Sequence, residues 1–197
     1  MLRSCLLILV VALTGLAADV GTAQAGVSIS IRHKFFSVSG SSIQDVVRSL
    51  KRNGPLHRDI GRRAIGLADF RHRYRLTTTS EGGRCKVSKV HVSLRIILTL
   101  PRLSSRARLS ARHGARWRTI EAMIRRHENR HAALYKQFAR ALERRLKRLR
   151  PAASCSALRS KARQIEKSEF ERDRRRNRAY DRASYPAFNK RLKSLSR

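Results

Sequence analysis

Trp117, Ile120, Ile124, His127, His131, Leu134, Phe138, Leu142, Leu146 and Leu149 step along the chain by threes and fours. On a helix, that spacing gathers all ten onto one stripe. The pattern starts near Ala115 and is stopped by Pro151, so it predicts a single helix of about ten turns. A helix this long with one apolar stripe cannot stand alone, because the stripe has to be covered by a sheet or by other helices.

The covering elements can be read on either side. Val90, Val92, Leu94, Ile96, Leu98 and Leu100 alternate with His91, Ser93, Arg95 and Thr99, the signature of a strand with one wet face, and Pro101 is expected to end it. Before it, Phe70, His72, Tyr74 and Leu76 alternate with Arg71, Arg73 and Arg75, and the Ser-Glu-Gly-Gly run at 80–83 reads as the hairpin turn. Residues 27–39 alternate as a first strand, followed by a short helix capped by Ser42 and stopped at Asn53-Gly54-Pro55. After Pro151 a second helical stretch, about 156–183, carries Leu158, Ala162 and Ile165 at matching spacing. A short link between two helices makes them antiparallel neighbours. The expected fold class is therefore α+β: a small antiparallel sheet, made of the hairpin and the N-terminal strand, packed on the long helix and an antiparallel C-terminal helix. The strand at 86–100, if it lies at the sheet edge, could hold an extended peptide by strand addition.

Both histidines of the stripe belong to His127-Glu128-Asn129-Arg130-His131. In this H-E-x-x-H arrangement, positions i and i+4 bring two imidazoles to one side at a separation that one metal ion bridges. The glutamate beside the first ligand reaches a water on that metal. This makes the expected architecture zincin-like, with Zn2+ as cofactor, His127 and His131 as ligands and Glu128 as general base. A catalytic zinc needs a third protein ligand and an open position. Glu143, 12 residues beyond His131, lies about 18 Å away along the axis and cannot serve. If the helical hairpin turns near residue 153, residues of about 173–181 on the return arm come level with the histidines. That window holds Asp173, Tyr180 and Asp181. Asp181 is the first choice of ligand, Asp173 the second and Glu169 the third, with His72 and His91 as alternatives on the strands. Tyr180, or Tyr185 near it, is the candidate donor to a developing oxyanion.

Composition adds the compartment and the partners. Arg3, an apolar run and Ala23-Gln24-Ala25 at 1–25 have the form of a cleaved signal peptide. That leaves a single domain at 26–185 and a basic tail at 186–197, exported to the periplasm or beyond. Of three cysteines, Cys85 and Cys155 lie outside that leader, and an even pair in an oxidising compartment is expected to form a disulfide. Lys and Arg number 46 against 13 acids, a formal +33. Such charge brings salt-sensitive association with polyanions, including anionic envelope polymers and membrane surfaces. The scarcity of aromatics beside the basic runs argues against a dedicated nucleic-acid site.

Beyond these readings, the chain resembles the bacterial predicted secreted zinc-dependent proteases, a family first catalogued as a domain of unknown function. The resemblance rests on Val38-Ser39-Gly40-Ser41-Ser42-Ile43-Gln44-Asp45 with Asn53-Gly54-Pro55 after it, and on Gly83-Arg84-Cys85 opening a strand that closes in Leu100-Pro101. Trp117 ahead of the His-Glu helix, Cys155 behind it and Tyr180-Asp181 near the end complete it. It implies peptide hydrolysis at a zinc site, with a peptide or protein as substrate. The chain departs from the pattern after Tyr180-Asp181, where relatives usually carry Thr-x-His-Gly and Pro186 occupies the place of that His. Either Asp181 supplies the third ligand here or the site holds metal poorly. The rival reading of the whole is a non-catalytic cationic exported protein that binds anionic envelope polymers or nucleic acid.

Overall fold

A computed structural model describes residues 26–57 and 61–197; the leader-like segment at 1–25 lies outside them. The elements run β1 (Gly26–Val38), α1 (Ile43–Asn53), β2 (Leu56–His57), β3 (Arg62–Arg63), β4 (Leu67–Glu81), β5 (Arg84–Leu103), α2 (Ala111–Lys147) and α3 (Cys155–Leu195). The fold is α+β, with three helices, a three-stranded sheet in the order β1-β5-β4 and a separate two-stranded β2-β3 ribbon.

The hairpin turns through Gly82 and Gly83, whose φ angles of 56° and 72° belong to the left-handed region that two-residue hairpin loops require. β4 pairs antiparallel with β5 along its whole length. β1 pairs with β5 in parallel, Gly26 opposite His91 through Val38 opposite Leu103, so the sheet is mixed where the sequence pattern suggested a wholly antiparallel one. The cause is the path between β1 and β4. It passes through α1 and the β2-β3 ribbon and re-enters the sheet at the end where β1 left it, with Leu67 opposite Thr99, so β4 runs back against β1 and the hairpin returns β5 parallel to β1. β5 is consequently the central strand. From His91 to Thr99 the strand at 86–100 has both edges taken, by β1 and β4, so it is not the free sheet edge that strand addition of an extended peptide needs. Pro101 does not end β5 either: it sits within the strand opposite Phe36, and the pairing runs on to Leu103.

One face of β5 is buried from Val90 to Leu100 against Trp117, Ile120, Ile124, Phe138, Leu142 and Leu146 of α2. Burying a side chain of this size contributes about 1.5–3 kcal/mol, so this seam is the main source of stability. α1 adds Ile43, Val46, Val47 and Leu50 to the same core. Its first turn is fixed by a capping box in which Ser42 and Asp45 satisfy each other's backbone donors.

The helical pair is tied down at its turn. Cys85 and Ala152 exchange backbone hydrogen bonds of 2.8 and 2.9 Å, and Cys85 is joined to Cys155 by a disulfide spanning 70 residues. At the other end, α3 runs through Pro186 to Leu195, where the sequence pattern suggested a loose basic tail. Leu192 is buried, Phe188 packs against the core, and Gln44 Nε2 on α1 donates to the Arg197 carbonyl at 2.9 Å. These interactions outweigh the backbone donor missing at Pro186.

Replacing Cys85 and Cys155 together by serine is expected to lower unfolding free energy by about 4 kcal/mol, the loop-closure value for a crosslink of this span. The measurement is the urea midpoint under oxidising conditions, and an unchanged midpoint would remove the disulfide from the account of stability.

Candidate metal centre

His127 and His131 sit one helical turn apart on α2 and are 7 % and 8 % exposed. α3 crosses them antiparallel and presents Asp181. The His131 Nε2 atom lies 3.2 Å from His127 Nε2 and 3.0 Å from Asp181 Oδ1, and His127 Nε2 lies 3.2 Å from the same oxygen. Among the described residues these three form the one group of His, Cys, Asp and Glu side chains converging as a metal site would require.

The hydrogen bonds around the three atoms show what they lack. Asn177 Nδ2 donates to the Asp173 carbonyl at 2.9 Å, which turns its Oδ1 toward His131. The His131 Nδ1–H then donates to that oxygen at 2.6 Å. In neutral His131 the proton is thereby placed on Nδ1, and the Nε2 lone pair faces the other two ligand atoms. Three electron-rich atoms pointing at one another need a cation between them. A proton is one solution: burial alone would lower the His131 pKa, but the bonds to Asp181 and Asn177 raise it overall. Asp181 shows the reciprocal effect, since burial would raise its pKa yet bonds to His127 and His131 hold it well below the carboxylate range. A zinc ion is the other solution. Tetrahedral ligands at about 2.1 Å from one centre stand about 3.4 Å apart, close to the separations here, and two imidazoles with one carboxylate form a donor set suited to zinc. The residues fit the ion.

Glu128 lies beside this group at 5 % exposure. Burial raises its pKa against the opposing pull of His127, His131 and the Ala68 N–H that it accepts from. Its place depends on Gly66: a Cβ there would lie 2.6 Å from Ile124 Cγ2 and 2.8 Å from Glu128 Oε1. Tyr135 completes the clamp by donating its hydroxyl to the Ala68 carbonyl at 3.0 Å. The start of β4 is thereby held on α2 over the glutamate. The rings of Tyr180 and Tyr185 lie 5.0 and 5.3 Å from that of His127, and burial pushes the Tyr185 hydroxyl up to about 12.

The remaining candidates fall elsewhere. Asp173 is buried on α3 but outside the converging group, with Oδ1 lacking any hydrogen-bond partner. Burial raises its pKa to about 6. Glu169 is 1 % exposed and paired with Arg145 at 2.6 Å and Arg172 at 3.3 Å. His72 is engaged with Glu166 at 2.8 Å, and His91 with Ser28 at 3.1 Å. Asn177, Gly66 and Ala68 are the participants that sequence reasoning missed. For Asn177 a signal existed: it precedes Asp181 by four residues, so both occupy one face of α3.

With the geometry in place, comparison with known proteins adds the family. Residues 33–186 match the family described as "Bacterial protein of unknown function (DUF922)". The chain belongs to it. No curated protein and no solved structure matches. The matched span of this DUF922 member takes in β4, β5, α2 and α3 as far as Pro186, and so includes His127, Glu128, His131, Asn177 and Asp181. Among the described residues no helix is long and apolar enough to cross a membrane.

Asp173 provides a pH test of this packing. Its pKa is raised from 3.8 to about 6 on folding, so the folded state favours the protonated form. Its contribution to stability is complete below pH 3.8 and lost as pH rises through about 6. Asp173→Asn should therefore unfold with less loss of stability between pH 4 and 7 than the parent. Urea midpoints across that range give the comparison, and parallel profiles would contradict the assignment.

Proposed function

We propose that this protein is an exported zinc-dependent metallopeptidase. The observation that carries the reading is the convergence of His127 Nε2, His131 Nε2 and Asp181 Oδ1 within hydrogen-bonding distance of one another, with a buried carboxylate beside them. Export is supported by the disulfide, which needs an oxidising compartment, and by the leader-like form of residues 1–25.

Zinc, when bound, supplies Lewis acidity and makes a neighbouring water easier to deprotonate. The chain's own residues provide the rest. Glu128, buried beside the two histidines with its pKa raised above the ordinary carboxylate value by that burial, accepts a proton from the attacking water and passes it to the departing amine. Asn177 holds His131 in the tautomer that leaves Nε2 as a ligand. Tyr180, whose ring lies tilted 5.0 Å from that of His127 and edge-on 5.1 Å from that of His131, is the nearest candidate to donate a hydrogen bond to the charge that develops on the carbonyl oxygen. The group contains three protein ligands, which favours a catalytic site with an open position over a four-ligand structural one.

The reading predicts about one zinc per chain after metal loading and dialysis, read by elemental analysis, together with cleavage of an unfolded polypeptide. His127→Ala and Asp181→Ala should lose the metal. Glu128→Gln should keep the metal and lose cleavage by a factor on the order of 100 or more. A folded sample that takes up no zinc would sink the proposal.

Gly66→Ala is expected to resemble Glu128→Gln, because the added methyl group displaces Glu128 and leaves the three ligands alone. Zinc content and cleavage rate measured together separate that outcome from general misfolding.

The +33 charge supports a second reading, a non-catalytic module that binds anionic polymers. Polyanion binding that survives His127→Ala unchanged, without any hydrolysis by the parent, would favour it.

A further inference from the structure

An open groove of about 710 Å³ runs from His127 between the first half of α2 and the last turns of α3. Ala115, Thr119, Ala122 and Met123 form its α2 wall, and Tyr180, Ser184 and Phe188 form the facing wall. Three of its lining residues are arginines, Arg118 and Arg126 from α2 and Arg191 from α3, and no acidic side chain lines it. A smaller groove of about 440 Å³ continues past Arg118 and Arg126. Its one acid, Glu121, is already paired with Arg125 at 2.9 Å.

Exposed arginines are common on a surface this basic. These three differ because they line, from two helices, one groove that ends at a candidate metal ligand. From Ala115 to His127 the groove spans about 18 Å of helix, room for about five residues of extended chain. Arg126 adjoins His127, whereas Arg118 and Arg191 lie about 13–15 Å along their helix axes from His127 and Asp181 respectively. Met123 and Phe188 offer apolar surface between the two ends.

We infer that the groove selects polypeptides with carboxylate side chains on one side of the scissile bond, one next to that bond and another about four residues along. The inference rests on the peptidase reading for the word scissile. The groove itself can be tested without cleavage. Arginine recognises a carboxylate through paired N–H donors, and removing one such pairing should weaken binding by about tenfold.

The test uses two short peptides that differ only in carrying Glu or Gln at those two positions. Binding is measured by fluorescence anisotropy on the Glu128→Gln protein, with and without zinc, in about 150 mM salt, where distant charges are screened beyond about 8 Å. The Glu peptide is expected to bind at least about tenfold tighter than the Gln peptide. Combining Arg118→Gln, Arg126→Gln and Arg191→Gln should abolish that preference. Combining Arg71→Gln, Arg73→Gln and Arg75→Gln removes the same charge from the exposed side of β4 and should leave it intact. Equal weakening in both triple variants would reduce the effect to diffuse charge and overturn the inference. So would a polyphosphate chain of equal charge that binds tighter than the peptide and depends on the same three arginines. With the parent enzyme, equal kcat/KM for the Glu and Gln peptides also overturns it. Binding of the Glu peptide without any cleavage would overturn the peptidase reading alone.

Discussion

The register between α2 and α3 is the constraint on which the site depends. His127 and His131 are fixed to each other by one helix, but Asp181 and Asn177 arrive on another, and a slip of one residue along α3 would turn both by about 100° away from the histidines. The register is set about 39 Å away along α3. There, Cys155 is bonded to Cys85, and the Cys85–Ala152 backbone bridge anchors the link between the helices to the central strand. Leu142, Leu146 and Ala162 then pack the two arms against the sheet. The placement of Asp181 and Asn177 thus depends on a covalent bond at the opposite end of the helical pair, made by residues far from the histidines.

Charge is distributed unevenly over the two helices. In a chain with 13 acids against 46 Lys and Arg, Glu128, Glu143, Glu169 and Asp173 are all buried on the two long helices. Three of them have arginine or lysine nearby: Glu143 is paired with Lys147, Glu169 with Arg145 and Arg172, and Asp173 feels the charge of Arg176. Glu128 is different. It takes a backbone N–H from Ala68 and faces the histidine pair, so this buried carboxyl is held by the sheet and not by an arginine.

Much of this is legible in the sequence, because periodicity records burial. The α2 stripe announces the helix that carries the site. The alternation from Val90 to Leu100 announces the buried face of β5, and equal helical rise on two antiparallel arms brings Asp181 level with His131. What stays hidden depends on tertiary path. Whether β1 runs parallel or antiparallel to β5 is decided by the route through α1, which leaves no mark in β1's own alternation. The helix beyond Pro186 is a case of packing overriding local preference: proline argues for a stop, and Phe188 and Leu192 supply the packing that carries the helix on. Gly66 is silent because a glycine needed for a close approach looks in sequence like any loop glycine.

The extension of α3 to Leu195 has its own consequence. Phe188 lies 5.7 Å from the His127 ring, and Arg191 forms part of the groove wall, while the last carbonyl of the chain is hydrogen-bonded to α1. The far terminus therefore completes the mouth of the cleft, so a chain shortened just after the family-matched region would keep His127, His131 and Asp181 and still lose Phe188 and Arg191 from one bank of the groove.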